Sequence, residues 1–212
     1  MDVMTKNKNL HRLVIVAALA AAVQLAGCAS SKGTPNTTYD FGPARASATA
    51  SPALASSFLS TLVVTDVTGS TSYDSERIFY RLSYSDPLQA RSYANSRWAA
   101  TPLQLVTQRF KTRIAQTGVK VLSTTDASTG VAILRVDVDD FIHTFTGVTQ
   151  SEGEVAVRVS LFQGHKLIDQ KSFRRTTPAA TADAAGGASA LAASTDAVAA
   201  DIVAWLAALP PR

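Results

Sequence analysis

Between residues 154 and 161 apolar and polar side chains alternate, with Val155, Val157, Val159 and Leu161 set against Glu154, Arg158 and Ser160. A period of two places the four aliphatic residues on one face of an extended strand, and that face must be covered by another layer while the opposite face meets water. The chain before it continues the pattern. In residues 131–138 (VAILRVDV), Leu134, Val136 and Val138 share a face, but Phe141 and Phe145 fall on the opposite parity. A strict period of two does not allow that, so the spacing predicts a β-bulge near Asp139-Asp140. After the tight turn at Gly164-His165, residues 166–176 return as a third long antiparallel strand.

Shorter elements precede these strands. Residues 62–67 (LVVTDV) are β-branched and brief enough for a buried strand, and residues 77–84 and 89–95 flank Ser85-Asp86-Pro87 as a hairpin. Thr101 then supplies an N-cap and Pro102 a first helical residue. Leu103, Val106, Phe110 and Ile114 follow at helical spacing until Gly118 stops the helix. Gln104, Gln108, Lys111 and Thr112 line its other face, and Trp98, just ahead of the cap, reads as packing the hairpin onto it. Residues 119–122 return as a strand. Residues 178–188 form an Ala/Gly/Thr-rich connection, after which Leu191, Val198, Ile202, Trp205 and Leu209 line one side of an alanine-rich helix. An apolar stripe is a liability in water, so this helix either docks on its own sheet, the favoured reading, or binds a neighbour. The fold class is α+β: a largely antiparallel sheet with a mid-domain helix and a C-terminal amphipathic helix packed on one side.

The N-terminal residues have another task. Lys6, Lys8 and Arg12 precede residues 13–23 (LVIVAALAAAV), an apolar run with the length of a secretory h-region and well short of the roughly 20 residues that span a bilayer. The run ends in Leu25-Ala26-Gly27-Cys28, which resembles the lipobox of bacterial lipoproteins. On that reading residues 1–27 are a signal peptide recognised through Leu25, Ala26 and Gly27, and Cys28 carries the lipid. It is the only cysteine of the 212 residues, so an intramolecular disulfide and a thiolate zinc site are excluded. Several acyl chains on one residue supply the two or more signals that stable anchoring requires. Removal of the signal also lowers the formal charge from +4 to +2, too little for a nucleic-acid-binding stripe. Residues 28–57 are poor in charge and rich in Ala, Ser, Thr and Pro, which reads as a flexible tether; about 25 such residues reach roughly 28 Å. Within it Tyr39-Asp40-Phe41-Gly42-Pro43 is either a chance aromatic pair or a short segment docked on the body, which begins near residue 58.

Little catalytic chemistry is legible. His143 follows Asp139 and Asp140 by four and three residues, and on a regular strand Asp139 would share its face while Asp140 points away. Two such groups do not close a metal site, and the plainer reading is a solvated strand end. His165 sits in a turn that tolerates polar residues. The chain has no G-x-S-x-G elbow, H-E-x-x-H motif or glycine-rich phosphate loop, and Gly186-Gly187 lies in low complexity. Arg109, Lys111 and Arg113 on the first helix, and Lys166, Lys171, Arg174 and Arg175 on the last strand, read as solvated faces; the alternative is a patch for anionic lipid or a partner.

One stretch carries a likeness to a known family. A strand ends in Thr65-Asp66-Val67, then come Arg77-Ile78-Phe79-Tyr80-Arg81, Tyr93-Ala94-Asn95, Trp98-Ala99-Ala100-Thr101-Pro102-Leu103 and later Val136-Asp137-Val138-Asp139-Asp140-Phe141. In this order, behind a lipobox, they resemble the auxiliary lipoprotein component of ABC-type transport systems, including the paraquat-inducible C-type lipoproteins. The resemblance implies that residues 58–212 are an ABC-type transport auxiliary lipoprotein domain. It also implies a non-enzymatic lipoprotein on the periplasmic face of the outer membrane. No cofactor is implied beyond covalent diacylglycerol and N-acyl lipid on Cys28. Its implied partners are an MCE-domain protein with an ABC permease and ATPase, in a system moving phospholipid or other hydrophobic molecules between membranes. It further implies docking to the MCE component, as a ring of several copies. A structural outer-membrane lipoprotein without a transport role is the competing expectation, and a periplasmic hydrolase using His143 and Asp139 a third.

Overall fold

The structure, a computed structural model, describes residues 36–44, 59–126 and 129–210. Nine strands and two helices follow in the order β1 (Thr37–Tyr39), β2 (Thr61–Val64), β3 (Thr68–Gly69), β4 (Arg77–Leu82), β5 (Ala90–Trp98), α1 (Pro102–Ala115), β6 (Lys120–Leu122), β7 (Ala132–Phe145), β8 (Ser151–Gln163), β9 (Lys166–Pro178) and α2 (Ala184–Ala208). A single 3₁₀ turn, Thr71–Asp74, precedes β4.

β7 is the axis of the sheet. Along one edge it pairs antiparallel with β8, which pairs in turn with β9, and these three strands form the long ladders expected from the alternation. Its other edge is shared among short parallel partners: β2 beside Leu134, β3 beside Val138 and β4 beside Phe145. β6 extends β2 in parallel, β5 returns antiparallel to β4, and β1 adds in parallel to β5. The sheet is therefore mixed, with antiparallel pairing in its longest ladders. Parallel pairs between distant segments leave no turn in the sequence to announce them, so these could not be read beforehand.

The predicted bulge is present. Val138 faces Val157 and Asp140 faces Ala156, which leaves Asp139 as the extra residue. Before it Leu134, Val136 and Val138 point to the core; after it Phe141, His143 and Phe145 do. On β8, Val155, Val157, Val159 and Leu161 are all fully buried, contributing roughly 2 kcal/mol apiece.

Both helices contribute to the single core on this face of the sheet. Thr101 caps α1 in a capping box with Gln104, with Pro102 in the first turn, and Gly118 follows with φ 89°. Val106, Phe110 and Ile114 are buried as the spacing required. α2 docks on its own sheet: Ser194 Oγ donates to the Gly153 carbonyl at 2.7 Å, and Trp205 Nε1 donates to Asp169 at 2.9 Å. By length and composition α2 could cross a membrane, yet its long apolar side is spent on the sheet. It begins earlier than expected, at Ala184 after the Asp183 cap, so Gly186 and Gly187 are helical and not part of a loose connection.

Candidate functional site

The Tyr39–Pro43 island takes the docked alternative. β1 pairs with the end of β5, and the Phe41 ring meets Trp98 edge-on at 5.6 Å and Phe141 at 6.1 Å. Trp98 is buried against these two rings, so it joins the docked segment to β7. Arg109 closes this join. Only 5% exposed, its guanidinium donates to the Phe41 and Gly42 carbonyls, lies 5.6 Å above the Phe41 ring and reaches Asp196 of α2 at 3.4 Å. Its expected place on a solvated face is thus corrected: one turn of α1 aims it inward, between two elements distant in sequence.

The other basic residues are also largely engaged within the domain. Arg113 pairs with Asp196 at 2.8 Å, which raises its pKa further, and Lys111 pairs with Asp66 at 2.9 Å. On β9, Arg175 forks onto Asp201 of α2, Arg174 meets Glu154, and Lys171 lies over the Phe173 ring. Only the Arg175 pair ties a strand to a helix, and Lys166, Lys171, Arg174 and Arg175 are exposed along β9, as expected.

His143 is the second correction: it is fully buried and is not at a solvated strand end. The bulge that shifts Phe141 inward shifts His143 with it, so Asp139 does not share its face. Asp139 instead faces outward near Arg158 at 3.8 Å, and Asp140 accepts from Tyr73 Oη at 3.4 Å. That tyrosine also accepts from the Phe141 N–H, and burial followed by the Asp140 charge raises its pKa. The candidate acid and imidazole pair is not assembled. His143 Nδ1 lies 2.9 Å from Tyr93 Oη, Tyr93 and Phe145 lie against the ring, and Tyr80 packs on both of those side chains. Nε2 is buried without a hydrogen-bond partner. Burial lowers the His143 pKa to about 4, opposed by the Asp183 carboxylate, and burial likewise pushes the Tyr93 hydroxyl well above its usual value. Asp183 itself is held below the usual carboxylate range by the Gly186 N–H and the Thr181 hydroxyl.

Gly187 explains the glycine pair. A Cβ there would come within 2.3 Å of His143 Nδ1, and one at Gly186 within 2.0 Å of the Thr181 carbonyl. Gly153 on β8 faces the same requirement, since its Cβ would meet the Leu191 amide at 2.4 Å. Gly187 and Gly153 thus let the first turns of α2 close onto the sheet, while Gly186 makes room for the connection that leads into the helix. In sequence the only signal was a Gly-Gly that interrupts an otherwise helix-forming run.

Two open concavities of about 530 Å³ are present. One lies where β5 bulges from β4, lined by Glu76, Arg77, Tyr93 and Arg97; the other lies beside the α1 cap, lined by Asp66, Asp74, Leu103 and Gln104. Both mix charge with polar backbone, unlike an enclosed apolar chamber for acyl chains. His165 is exposed in its turn, and no group of three or more metal-ligating side chains occurs among the described residues. Leu25, Ala26, Gly27 and Cys28 lie outside the described residues.

These features define an α+β domain whose buried polar groups hold its own elements together, with helices on one face of a mixed sheet. The chain belongs to the family of ABC-type transport auxiliary lipoprotein components, whose model matches residues 39–203. This is a family of lipoprotein accessories of transport systems and not an enzyme family, and no cofactor-binding fold is indicated. Solved structures agree on the fold. A Xanthomonas campestris protein of the DUF330 family superposes with TM-score 0.62 at 19% identity, covering 81% of this chain and 91% of its own. An uncharacterized protein superposes with TM-score 0.63 at 14% identity, covering 82% and 99%. Among curated proteins none matches in sequence.

Proposed function

We propose that the chain is an outer-membrane lipoprotein, anchored through Cys28, that docks to the MCE component of an ABC transport system. The system would move phospholipid or another hydrophobic molecule between membranes, and this protein would act in it without catalysis. The observation that carries the reading is the family match from residue 39 to 203 on a chain whose N-terminal residues end in a lipobox. The concavities add support, since neither is an enclosed apolar chamber and a docking role requires none. The division into a signal peptide to Gly27, a stretch linking Cys28 to the body, and the domain itself belongs to the same proposal, as does assembly of several copies into a ring.

The test is cross-linking in cells followed by affinity purification of the full-length tagged protein, with fatty-acid labelling in parallel. The MCE protein should be recovered with it, and label should enter the parent chain but not Cys28→Ala. Recovery of cell-wall material or other envelope proteins without an MCE protein would favour the structural lipoprotein reading. Label in Cys28→Ala would overturn the anchor.

A further inference from the structure

Four large apolar side chains are prominently exposed among the described residues, and three of them lie together. Tyr84 (50% exposed) and Leu88 (92%) sit in the β4–β5 turn, and Val148 (78%) sits in the β7–β8 turn. β4 and β7 are parallel neighbours that end level with each other, Leu82 beside Phe145, and Ser83 N–H donates to the Phe145 carbonyl at 2.9 Å. The two turns are therefore adjacent tips at one end of the sheet. Their composition is unusual for exposed turns: residues 83–90 carry one charge, Asp86, and residues 146–151 carry none. The Asp86 carboxylate accepts from the Leu88 N–H at 2.9 Å, which fixes the turn that presents Leu88.

The topology also sets the direction in which β1 runs. β1 runs parallel to β5, with Thr37 beside Ser96 and Tyr39 beside Trp98, and β5 runs away from the β4–β5 tip. β1 therefore turns its N-terminal end, at Asn36, toward the tips. Because the 36–44 segment is docked, only eight residue steps separate Asn36 from Cys28, a span of at most about 27 Å when fully extended. Along β4 the distance from the level of Arg77 to that of Leu82 is about 17 Å.

We infer that the two hairpin tips, through Leu88, Val148 and Tyr84, dip into the surface of the bilayer that holds Cys28. The inference rests on the lipid anchor proposed above. A leash leaving Asn36 toward the tips, whose reach of about 27 Å exceeds the roughly 17 Å to their level, would bring this end of the domain to the membrane surface. Protruding aliphatic side chains on uncharged turns enter the boundary of headgroups and acyl chains, and a tyrosine beside them suits the headgroup level. Three side chains on two narrow turns offer far less than the roughly 800 Å² per partner that a stable protein interface buries, which favours a fluid surface over a second protein.

The experiment uses the full-length lipidated protein in vesicles of phosphatidylethanolamine and phosphatidylglycerol with brominated acyl chains. Leu88→Trp and Val148→Trp place reporters on the tips, and Leu167→Trp places one at the far end of the sheet, where Leu167 is also exposed. Trp98 and Trp205 are buried and set the background. Emission at 88 and 148 should fall about twofold in brominated vesicles, while that at 167 changes little. A chain that carries labelled fatty acid and recovers the MCE protein, yet shows no more quenching at 88 and 148 than at 167, would overturn the inference and leave the proposed function standing. Shielding of the tips only on adding the MCE protein, or only at high concentration of the chain itself, would also overturn it and make them a protein interface. Absence of label from the parent chain would remove the anchor itself, a distinct result.

Discussion

His143 places an ionisable ring where burial disfavours protonation and only the Asp183 carboxylate favours it. The β7 bulge turns it inward, Gly187 lets α2 close over it, and Tyr93 meets its Nδ1. Its pKa falls from 6.5 to about 4, so between those values the unfolded chain takes up a proton that the folded chain refuses. Stability is therefore full above about pH 6.5, declines as pH falls through the window, and levels off below about 4. The loss should be on the order of 3 kcal/mol, the favourable Asp183 carboxylate being already counted in that fall. Urea midpoints at pH 7.5 and 4.5 measure this difference, and His143→Leu should shrink it; an equal acid loss in both proteins would place the sensitivity elsewhere. Gly187 offers a sharper check on the same contact. Gly187→Ala should destabilise by about 3 kcal/mol or more, because its methyl group would overlap the imidazole. In the double variant with His143→Ala, part of that loss should return, giving a coupling above about 1 kcal/mol in a double-mutant cycle. Simple additivity would mean that the two residues do not meet.

At the scale of elements, Arg109 shows how an interior charge can fix a segment that has little else to hold it. The 36–44 segment has a three-residue strand and two half-buried aromatic rings, Tyr39 and Phe41, packed against the core, and the guanidinium accounts for two of its carbonyls. Arg109→Met keeps the aliphatic packing but removes those bonds. It should destabilise the domain by about 2 kcal/mol, Asp196 being left with Arg113 as partner. Amide exchange at Tyr39 and Ala99 should rise before that of β7 and β8, because Ala99 N–H donates to the Tyr39 carbonyl. Uniform loss of protection would mean that the segment is part of the global folding unit. The same scale explains what could be read in advance. The bulge, the α1 cap and the long antiparallel strands were legible because each rests on neighbours in sequence: a parity change, Thr101 before Pro102, a run of alternating valines. The inward Arg109, the start of α2 and the sharing of one β7 edge by β2, β3 and β4 were not. Each depends on which distant segment arrives, and Gly186-Gly187 reads as low complexity until His143 and Thr181 are known to lie beneath it.

For the whole molecule, the docked N-terminal segment changes how a lipid anchor would act. A tether of about 25 residues would let the domain roam roughly 28 Å, whereas the eight steps between Cys28 and Asn36 would, with the proposed anchor, hold it close to the surface. The described residues share one core, built from Tyr39 onward, so altering the leash ahead of it should change position without changing stability. Inserting 20 Gly/Ser residues after Lys32 keeps the lipobox and the residues that follow it. Lengthening the leash from eight to 28 residues lowers the effective concentration of the tips at the membrane by about sixfold, since it falls as the −3/2 power of length. Lipid labelling and the thermal midpoint should stay as in the parent, while quenching of the reporters at Leu88 and Val148 should weaken toward the level at Leu167. Quenching that survives the insertion undiminished would mean that the tips bind the bilayer strongly enough to need no leash, and the short connection would then serve to hold the domain at a fixed height for its partner.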